Sequence, residues 1–209
     1  MNAFENWFCS TRFWQRITQQ QLLPWLIAEN PLGEHVLELG AGPGAGTDEL
    51  RRRAPRVTSL EWSHPFAAAL AARYPRSLKL NRAANASVAA DAIANGATIA
   101  DGSVLRGDAA ALPFADQSFS SVFAVLVLHH LRSREQQDRA FLEIFRVLRT
   151  GGYFFAFEID DGWFNRMIHI RSVFVPVDLA TIQQQLVAVG FTQTTVNSRR
   201  AGFRVCSRR

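Results

Sequence analysis

The stretch HVLELGAGPGAGTDEL, His35 to Leu50, constrains this chain more than any other part of it. Val36, Leu37 and Leu39 form a short apolar run broken by one acid, Glu38. Four glycines follow at alternate positions, Gly40, Gly42, Gly44 and Gly46, and Leu50 then begins an arginine-rich helical run. The order reads strand, glycine turn, helix. Glycine reaches positive φ at no steric cost and lets a ligand approach bare backbone. The helix beyond presents free N–H groups and a positive dipole end. The turn is therefore expected to hold a nucleotide-like or carboxylate-bearing ligand. Gly40, Gly42 and Ala45 also satisfy the looser dinucleotide fingerprint G-x-G-x-x-G/A, so the rest of the chain has to decide which ligand it is.

The remaining sequence alternates helical and strand patterns. Residues 1–30 read as helical, with Phe4, Trp7 and Phe8 and then Phe13, Trp14 and Ile17 at three- and four-residue spacing. Ser10 and Thr11 read as N-caps between two helices, Pro24 as the start of a last turn, and Asn30-Pro31-Leu32-Gly33 as a break. Pro55 ends the helical run after the glycine turn, Val57–Trp62 is the second strand, and Pro65 opens an alanine-rich helix, Phe66–Tyr74. A further helix is expected within 82–94, with a loop after it through Asn95-Gly96 and Asp101-Gly102. Ser103–Arg106 reads as a third strand. Phe119–Leu128 is a continuous apolar run, the pattern of a strand buried on both faces of a parallel sheet. Ser133 caps a helix through Leu148, Thr150-Gly151-Gly152 stops it, and Tyr153–Ile159 is the fifth strand. Val177–Gly190 is a final helix, and Thr192–Arg208 holds two strands around Ala201-Gly202, an antiparallel hairpin. Such alternation specifies a doubly wound α/β domain with right-handed crossovers, whose ligands sit at the carboxyl ends of the strands.

Bulk properties set the limits. With 209 residues, 48% hydrophobic and 20% charged, the chain is expected to be one globular domain. No apolar run approaches the ~20 residues of a membrane span, and the N-terminus carries no basic start followed by an apolar core, so neither an anchor nor a signal peptide is expected. Cys9 and Cys206 are far apart and lack metal-like partner spacing. They read as reduced thiols of a cytoplasmic protein, with no metal expected. The net charge is +5, almost all of it arginine, with Lys79 the only lysine. A basic balance can mean nucleic acid. Here the arginines are scattered from Arg12 to Arg209, apart from Arg51, Arg52, Arg53 and Arg56 on a solvent-side helix face, and no aromatic RNA-recognition pattern is present. Nucleic acid is not the expected partner.

Three acceptor-bearing points fall at strand ends. Glu61 closes the second strand about 20 residues past the first glycine, where an acid can accept from ribose hydroxyls. Asp108 follows the third, and His129 and His130 follow the fourth. At this point HVLELGAGPGAGT, VTSLEWS, RGDAAALPFADQSFSSVFAVLVLHHL and EIFRVLRTGGYFFAFE, in that order, resemble the successive motifs of class I S-adenosylmethionine-dependent methyltransferases, nearest to the branch with small-molecule and quinone-biosynthesis members. The resemblance spans about residues 34–159. It implies a Rossmann-like seven-stranded sheet, order 3-2-1-4-5-7-6 with the last hairpin antiparallel, in a single domain. Residues 1–33 would be a helical cap, 34–159 the cofactor-binding core, and 160–209 a substrate-side segment with the last helix and hairpin. The resemblance further implies that Glu38 and Gly40 meet the methionine ammonium end of S-adenosylmethionine, that Ala41 is also cofactor-binding, and that Gly42 and Gly44 pack under the cofactor. Glu61 would take the ribose hydroxyls, Trp62 would lie against adenine, Asp108 and the Ala109 N–H would meet the adenine edge, and Val125 would line the site through backbone. Ser120 departs from the family, which usually has an acid opening the fourth strand; that residue usually braces the sheet, so little effect is expected.

A nicotinamide-dependent reductase of the same fold is the first alternative. Short reductases commonly use a Tyr-x-x-x-Lys pair, and Lys79 lies five positions after Tyr74, the wrong spacing. A non-catalytic cofactor-binding or scaffold protein is the second, and the presence of all three acids argues against it. Methyl transfer from a sulfonium needs alignment and exclusion of water, and a general base only if the acceptor starts protonated. Candidates for that base are His129 and His130, then Glu158, Asp160, Asp161 and His169. The acceptor side is assigned to the aromatic N-terminus, Trp7, Phe8 and Trp14, and to Asp160 with the apolar segment Asp161–Val177, which carries Trp163 and Arg166. These are expected to form a lid over a small, mostly apolar acceptor, with Arg166 or Arg171 available for an anionic group.

Overall fold

In the computed structural model, which describes residues 1–74, 103–199 and 202–209, a seven-stranded sheet carries the chain's core. Its strands are β1 (His35–Leu39), β2 (Arg56–Glu61), β3 (Val104–Arg106), β4 (Phe119–Val125), β5 (Leu148–Glu158), β6 (Thr192–Arg199) and β7 (Gly202–Arg208). They lie in the order β3-β2-β1-β4-β5-β7-β6. The first five pair in parallel, and β7 runs antiparallel between β5 and β6. The fold class, strand order and terminal hairpin are those expected from the sequence. The helix expected within 82–94 and its following loop lie outside the described residues.

The period-2 alternation of β1 decides which layer covers which face. Val36 points to one side, where it packs with Leu50 of α4 (Thr47–Arg53), with Ala54 that caps it, and with Leu23, Leu26 and Ile27 of α3 (Leu23–Ile27). Leu37 and Leu39 join the core on the other side, built with Ala140, Phe141, Ile144 and Val147 of α6 (Arg134–Val147) and Ile182 and Leu186 of α8 (Ile182–Val189). On α5 (His64–Arg73), Leu70 packs against Val104 of β3. Both faces are covered, which is why β4 reads as an unbroken apolar run.

Several boundaries differ from the sequence reading for identifiable reasons. The N-terminal region breaks into α1 (Ala3–Ser10), α2 (Arg12–Ile17), a π-helical turn (Thr18–Leu22) and α3. Thr11 is the N-cap, its hydroxyl accepting the Trp14 N–H at 3.1 Å, whereas Ser10 closes α1. The fourth strand stops at Val125. Leu126 takes φ +57° and donates its N–H to the Phe157 carbonyl (2.8 Å), and a 3₁₀ turn, Leu128–His130, follows. Thr150-Gly151-Gly152 does not separate helix from strand, because β5 begins at Leu148, which pairs with Phe119. A register irregularity there carries Gly151 at φ +79°. The final helix is shorter than its apolar pattern, Ile182–Val189, capped by Gly190 in the left-handed region. The short helix α7 (Trp163–Ile168) lies inside the lid segment. Ser120 braces the sheet: its hydroxyl accepts the His35 N–H (3.0 Å) and is within bonding distance of the carbonyls of Leu32 (2.8 Å) and His35 (2.9 Å). Among the described residues no helix is long and apolar enough to cross a membrane.

Candidate active site

The strand order reverses between β1 and β4, where adjacent crossovers leave in opposite directions and open a crevice at the carboxyl ends. A cavity of about 1160 Å³ lies there, larger than the 300–1,000 Å³ usual for one small ligand. Its floor is the glycine turn. Gly40 and Gly42 have φ of +62° and +53°, the left-handed region glycine tolerates best. A Cβ on Gly40 would strike Val127, whereas one on Gly42 would meet nothing within 4 Å, so the Gly42 backbone borders open space.

Three carboxylates surround this turn, supplied by three successive strands. Glu38, on β1, is buried, and its Oε2 accepts from the hydroxyls of Thr47 (2.7 Å) and Ser59 (2.8 Å). Burial outweighs those hydrogen bonds and pushes its carboxyl up from 4.5 to about 7. Glu61 ends β2; it accepts the Gly42 N–H on Oε2 and the Ser63 N–H on Oε1, both at 2.7 Å. Burial raises this carboxyl too, against the lowering effect of the same amides. Asp108, half-buried just beyond β3, accepts the Ala110 N–H on Oδ1 (2.9 Å). Trp62 is exposed beside them, its carbonyl accepting from Arg106 Nε (3.2 Å). Glu38, Gly40, Ala41, Gly42, Glu61, Trp62, Asp108, Ala109 and Val125 all line the cavity. Gly44 does not: at φ +89° it lies against Leu70 of α5, so its small size serves helix packing rather than a ligand.

The opposite wall is built from histidines. His129 is buried, and its Nδ1 lies 2.5 Å from Glu158 Oε2, while Glu158 Oε1 accepts the N–H groups of Val127 (3.0 Å) and Leu128 (2.8 Å). Glu158, a candidate base from sequence, is thus fully occupied in holding the turn and orienting His129. His130 Nδ1 faces the Val173 carbonyl (3.1 Å), and burial, reinforced by His129, pushes its pKa down to about 3. His169 comes back from the lid segment; its Nδ1 faces the Asn165 carbonyl (2.6 Å), and burial lowers its pKa as well. All three rings line the cavity. So does Cys9, whose thiol burial pushes up to about 11, leaving it protonated near neutrality.

The two predicted lid pieces meet over this wall. The Asn2 side-chain amide donates to the carbonyls of Ile168 (2.8 Å) and Ile170 (3.1 Å), and Ser172 Oγ donates to Glu5 Oε2 (2.9 Å). Phe4, Phe8, Trp14, Asp160, Trp163 and Phe164 line the cavity. Trp7 does not; it is 62% exposed on the outer side of α1, its ring 5.8 Å from Phe4. Arg166 also points away, engaged with Asp161 at 2.6–2.7 Å, because its short helix presents that edge to solvent. Sequence reasoning missed Asn2, Glu5 and Ser172. The spacing Asn2-x-x-Glu5 is a capping box, and that signal could have marked both.

The methyltransferase domain family matches residues 37–156, more than half of the chain. The demethylmenaquinone methyltransferase of Thermobifida fusca (strain YX) is 33% identical over 120 residues, covering 57% of this chain and 41% of the relative. The matched region spans less than half the length of the curated relatives. Among solved structures, the N-methyltransferase NodS of Bradyrhizobium japonicum WM9 in complex with S-adenosyl-L-homocysteine superposes with a TM-score of 0.68 at 17% identity, over 97% of this chain and 90% of that one. The complex of the Haloferax volcanii Trm112 activator with a putative methyltransferase gives 0.70 at 16% identity, over 99% and 94%. With the motif order, the sheet order and the match across its core agreeing, this chain belongs to the methyltransferase domain family and has the class I S-adenosylmethionine-dependent methyltransferase fold.

Proposed function

We propose that this protein transfers a methyl group from S-adenosylmethionine to a small, mostly apolar acceptor held between the glycine turn and the aromatic lid. The observation that carries the reading is the convergence of Glu38, Glu61 and Asp108 from three strand ends on one cavity. The cofactor offers an ammonium, a ribose diol and an exocyclic amine, all donors, and the cavity offers three carboxylates. When bound it supplies a methyl group already activated by a sulfonium. Glu61 is pre-oriented by the Gly42 and Ser63 amides to receive the diol; Glu38, held near neutrality, becomes fully ionised beside a cation. Asp108 keeps Oδ1 on the Ala110 N–H and offers Oδ2 to the amine. The volume beyond one small ligand is the space for the acceptor, and Phe4, Phe8, Trp14, Trp163 and Phe164 supply its apolar walls and exclude water. Free Cys9 and Cys206 suit a reducing, cytoplasmic setting.

The test has two stages. S-adenosylmethionine or its demethylated product should raise the melting temperature and NADH should not; no shift with either methyl-donor form at saturation overturns the cofactor assignment. Transfer of label from the methyl donor is then followed to apolar phenols, quinols and amines and, in parallel, to RNA. Label entering RNA alone overturns the small-molecule acceptor.

A further inference from the structure

His129, His130 and His169 bring one ring nitrogen each to within 4.8 Å of one another. The first two are neighbours in sequence, and the third arrives from the lid 39 residues further on. The tautomers are set by what the Nδ1 atoms face. In each ring Nδ1 is against an oxygen that can only accept: the Glu158 carboxylate for His129, the Val173 carbonyl for His130 and the Asn165 carbonyl for His169. Each Nδ1 therefore carries a proton, and in the neutral ring Nε2 is the atom that offers a lone pair. Imidazoles oriented in this way, with the distal N–H on a carboxylate or a backbone carbonyl, are dressed as metal ligands are.

A fourth group points to the same place. Glu5 is 93% buried by its 7% exposure, and its Oε1 has no hydrogen-bond partner, although Oε2 is doubly occupied by the Asn2 N–H (2.6 Å) and Ser172 Oγ (2.9 Å). That orphaned oxygen lies 3.5 Å from His169 Nε2. The three imidazoles thus share a corner of the cavity, and the orphaned Glu5 oxygen borders it through His169. The Met1 ammonium stands 3.9 Å away on the Oε2 side of Glu5, whereas Oε1 faces His169 with no hydrogen-bond partner; a buried acceptor left in that state is costly, and a metal ion on that side removes the cost.

We propose that Glu5, His129, His130 and His169 form a binding site for one divalent first-row transition metal ion of the zinc(II) type. Neutral imidazoles with one carboxylate are a donor set that zinc, iron, cobalt and nickel accept and that magnesium and calcium do not favour. Nitrogens 2.0–2.1 Å from a tetrahedral zinc stand about 3.4 Å apart, so closure calls for shifts of about 1 Å in the three histidine side chains, with Glu5 following through His169. His129 is fixed by Glu158 on the sheet and His169 rides on the lid, so the ion would tie the lid to the core. If the methyl-transfer reading above holds, and this extension rests on it, expansion to five-coordination beside the acceptor space favours acceptors that present a hydroxyl, thiol or carboxylate as an anionic fifth ligand.

The site is tested by metal binding, which succeeds or fails whether or not any methyl acceptor is found. The full chain is stripped with a chelator and titrated with zinc(II) by calorimetry and with cobalt(II) by visible absorption, in the absence of methyl donor. One ion per chain is expected, with the d–d bands of a four- or five-coordinate cobalt. His169→Ala and Glu5→Gln should each weaken zinc binding at least about tenfold. Glu5→Gln keeps the capping box, so it guards against a result that reflects misfolding. His64→Ala, an exposed histidine outside the cluster, should bind as the parent does. S-adenosylhomocysteine affinity reports that each variant retains its cofactor pocket. Absence of stoichiometric binding, or binding that survives both Glu5→Gln and His169→Ala, overturns the proposal.

Discussion

Glu38→Gln should stabilise the free protein while weakening its hold on the cofactor, and the structure sets the size of the effect. The carboxyl is buried at the end of β1, and burial raises it from 4.5 to about 7. A carboxyl whose folded pKa lies above its unfolded value contributes stability that is complete below about pH 4.5 and is lost as pH rises through about 7. The interval, at about 1.4 kcal/mol per pH unit, is about 3 kcal/mol at pH 8 and less than about 1 kcal/mol at pH 5. Glutamine has the same shape, and its amide oxygen can accept both the Thr47 and the Ser59 hydroxyls, but it carries no charge to bury. The difference in melting temperature, variant minus parent, should therefore widen with pH. At about 2–4 °C per kcal/mol for a domain of this size, the widening from pH 5 to pH 8 is about 5–10 °C. Glu61 is nearby and is itself raised; removing the Glu38 charge relieves it slightly in the same direction. Differential scanning fluorimetry of both proteins across that pH range measures the gap. Calorimetry with S-adenosylhomocysteine should show affinity about 10–100-fold lower, the loss of a hydrogen bond to a charged group. A gap that is constant or shrinks with pH refutes the buried-charge account.

Glu61→Ala and Asp108→Ala should each weaken S-adenosylhomocysteine binding by about 1–3 kcal/mol with unchanged far-UV circular dichroism; unaltered affinity in both, measured by calorimetry, would mean that the ligand lies elsewhere. Gly40→Ala places a Cβ at φ +62° against Val127, so a loss of at least about 1–2 kcal/mol in urea unfolding is expected from the backbone alone, together with loss of cofactor binding. Trp163→Ala, at a side chain 76% exposed on the cavity rim, should raise the acceptor KM several-fold and leave cofactor affinity as it was; equal effects on both would remove Trp163 from the acceptor side. Hydrogen exchange should be faster in α1 than in α6, since Glu5 is the only buried residue of α1 whereas α6 buries Gln137, Ala140, Phe141, Ile144 and Val147.

What was legible in the sequence is what is local. The glycine turn, the acid at each strand end and the apolar run of β4 are short-range patterns, and each lies where its pattern said it would, except that β4 stops at Val125 rather than Leu128. Gly44 and Trp7 were misjudged because periodicity gives spacing but not direction. One glycine of an alternating set faces α5, and one aromatic of an amphipathic helix faces out. Arg166 turns away from the acceptor side because it pairs with Asp161 on the same edge, a contact that spacing alone does not direct. The break at Thr150-Gly151-Gly152 was misread because a parallel strand can begin before a glycine pair when its neighbour, here Phe119, offers a ladder position.

The histidine wall was illegible for a different reason: nothing local in it is unusual. An adjacent His129-His130 pair, a lone His169 and a Glu5 in an aromatic helix carry no metal-like spacing, and only the tertiary fold gathers them. The gathering depends on a polar clasp rather than on buried apolar surface. Asn2 caps α1 through Oδ1 while its Nδ2 holds the Ile168 and Ile170 carbonyls. Glu5 completes the box and takes the Ser172 hydroxyl. Each of these bonds is worth about 1 kcal/mol net, and α1 adds little apolar burial behind them. Such a clasp holds Glu5 against His169, and His169 against His129, on polar contacts. The contacts that cover the cavity are thus the contacts that assemble its polar corner: Asn2 and Glu5 on one side, Ile168, Ile170 and Ser172 on the other.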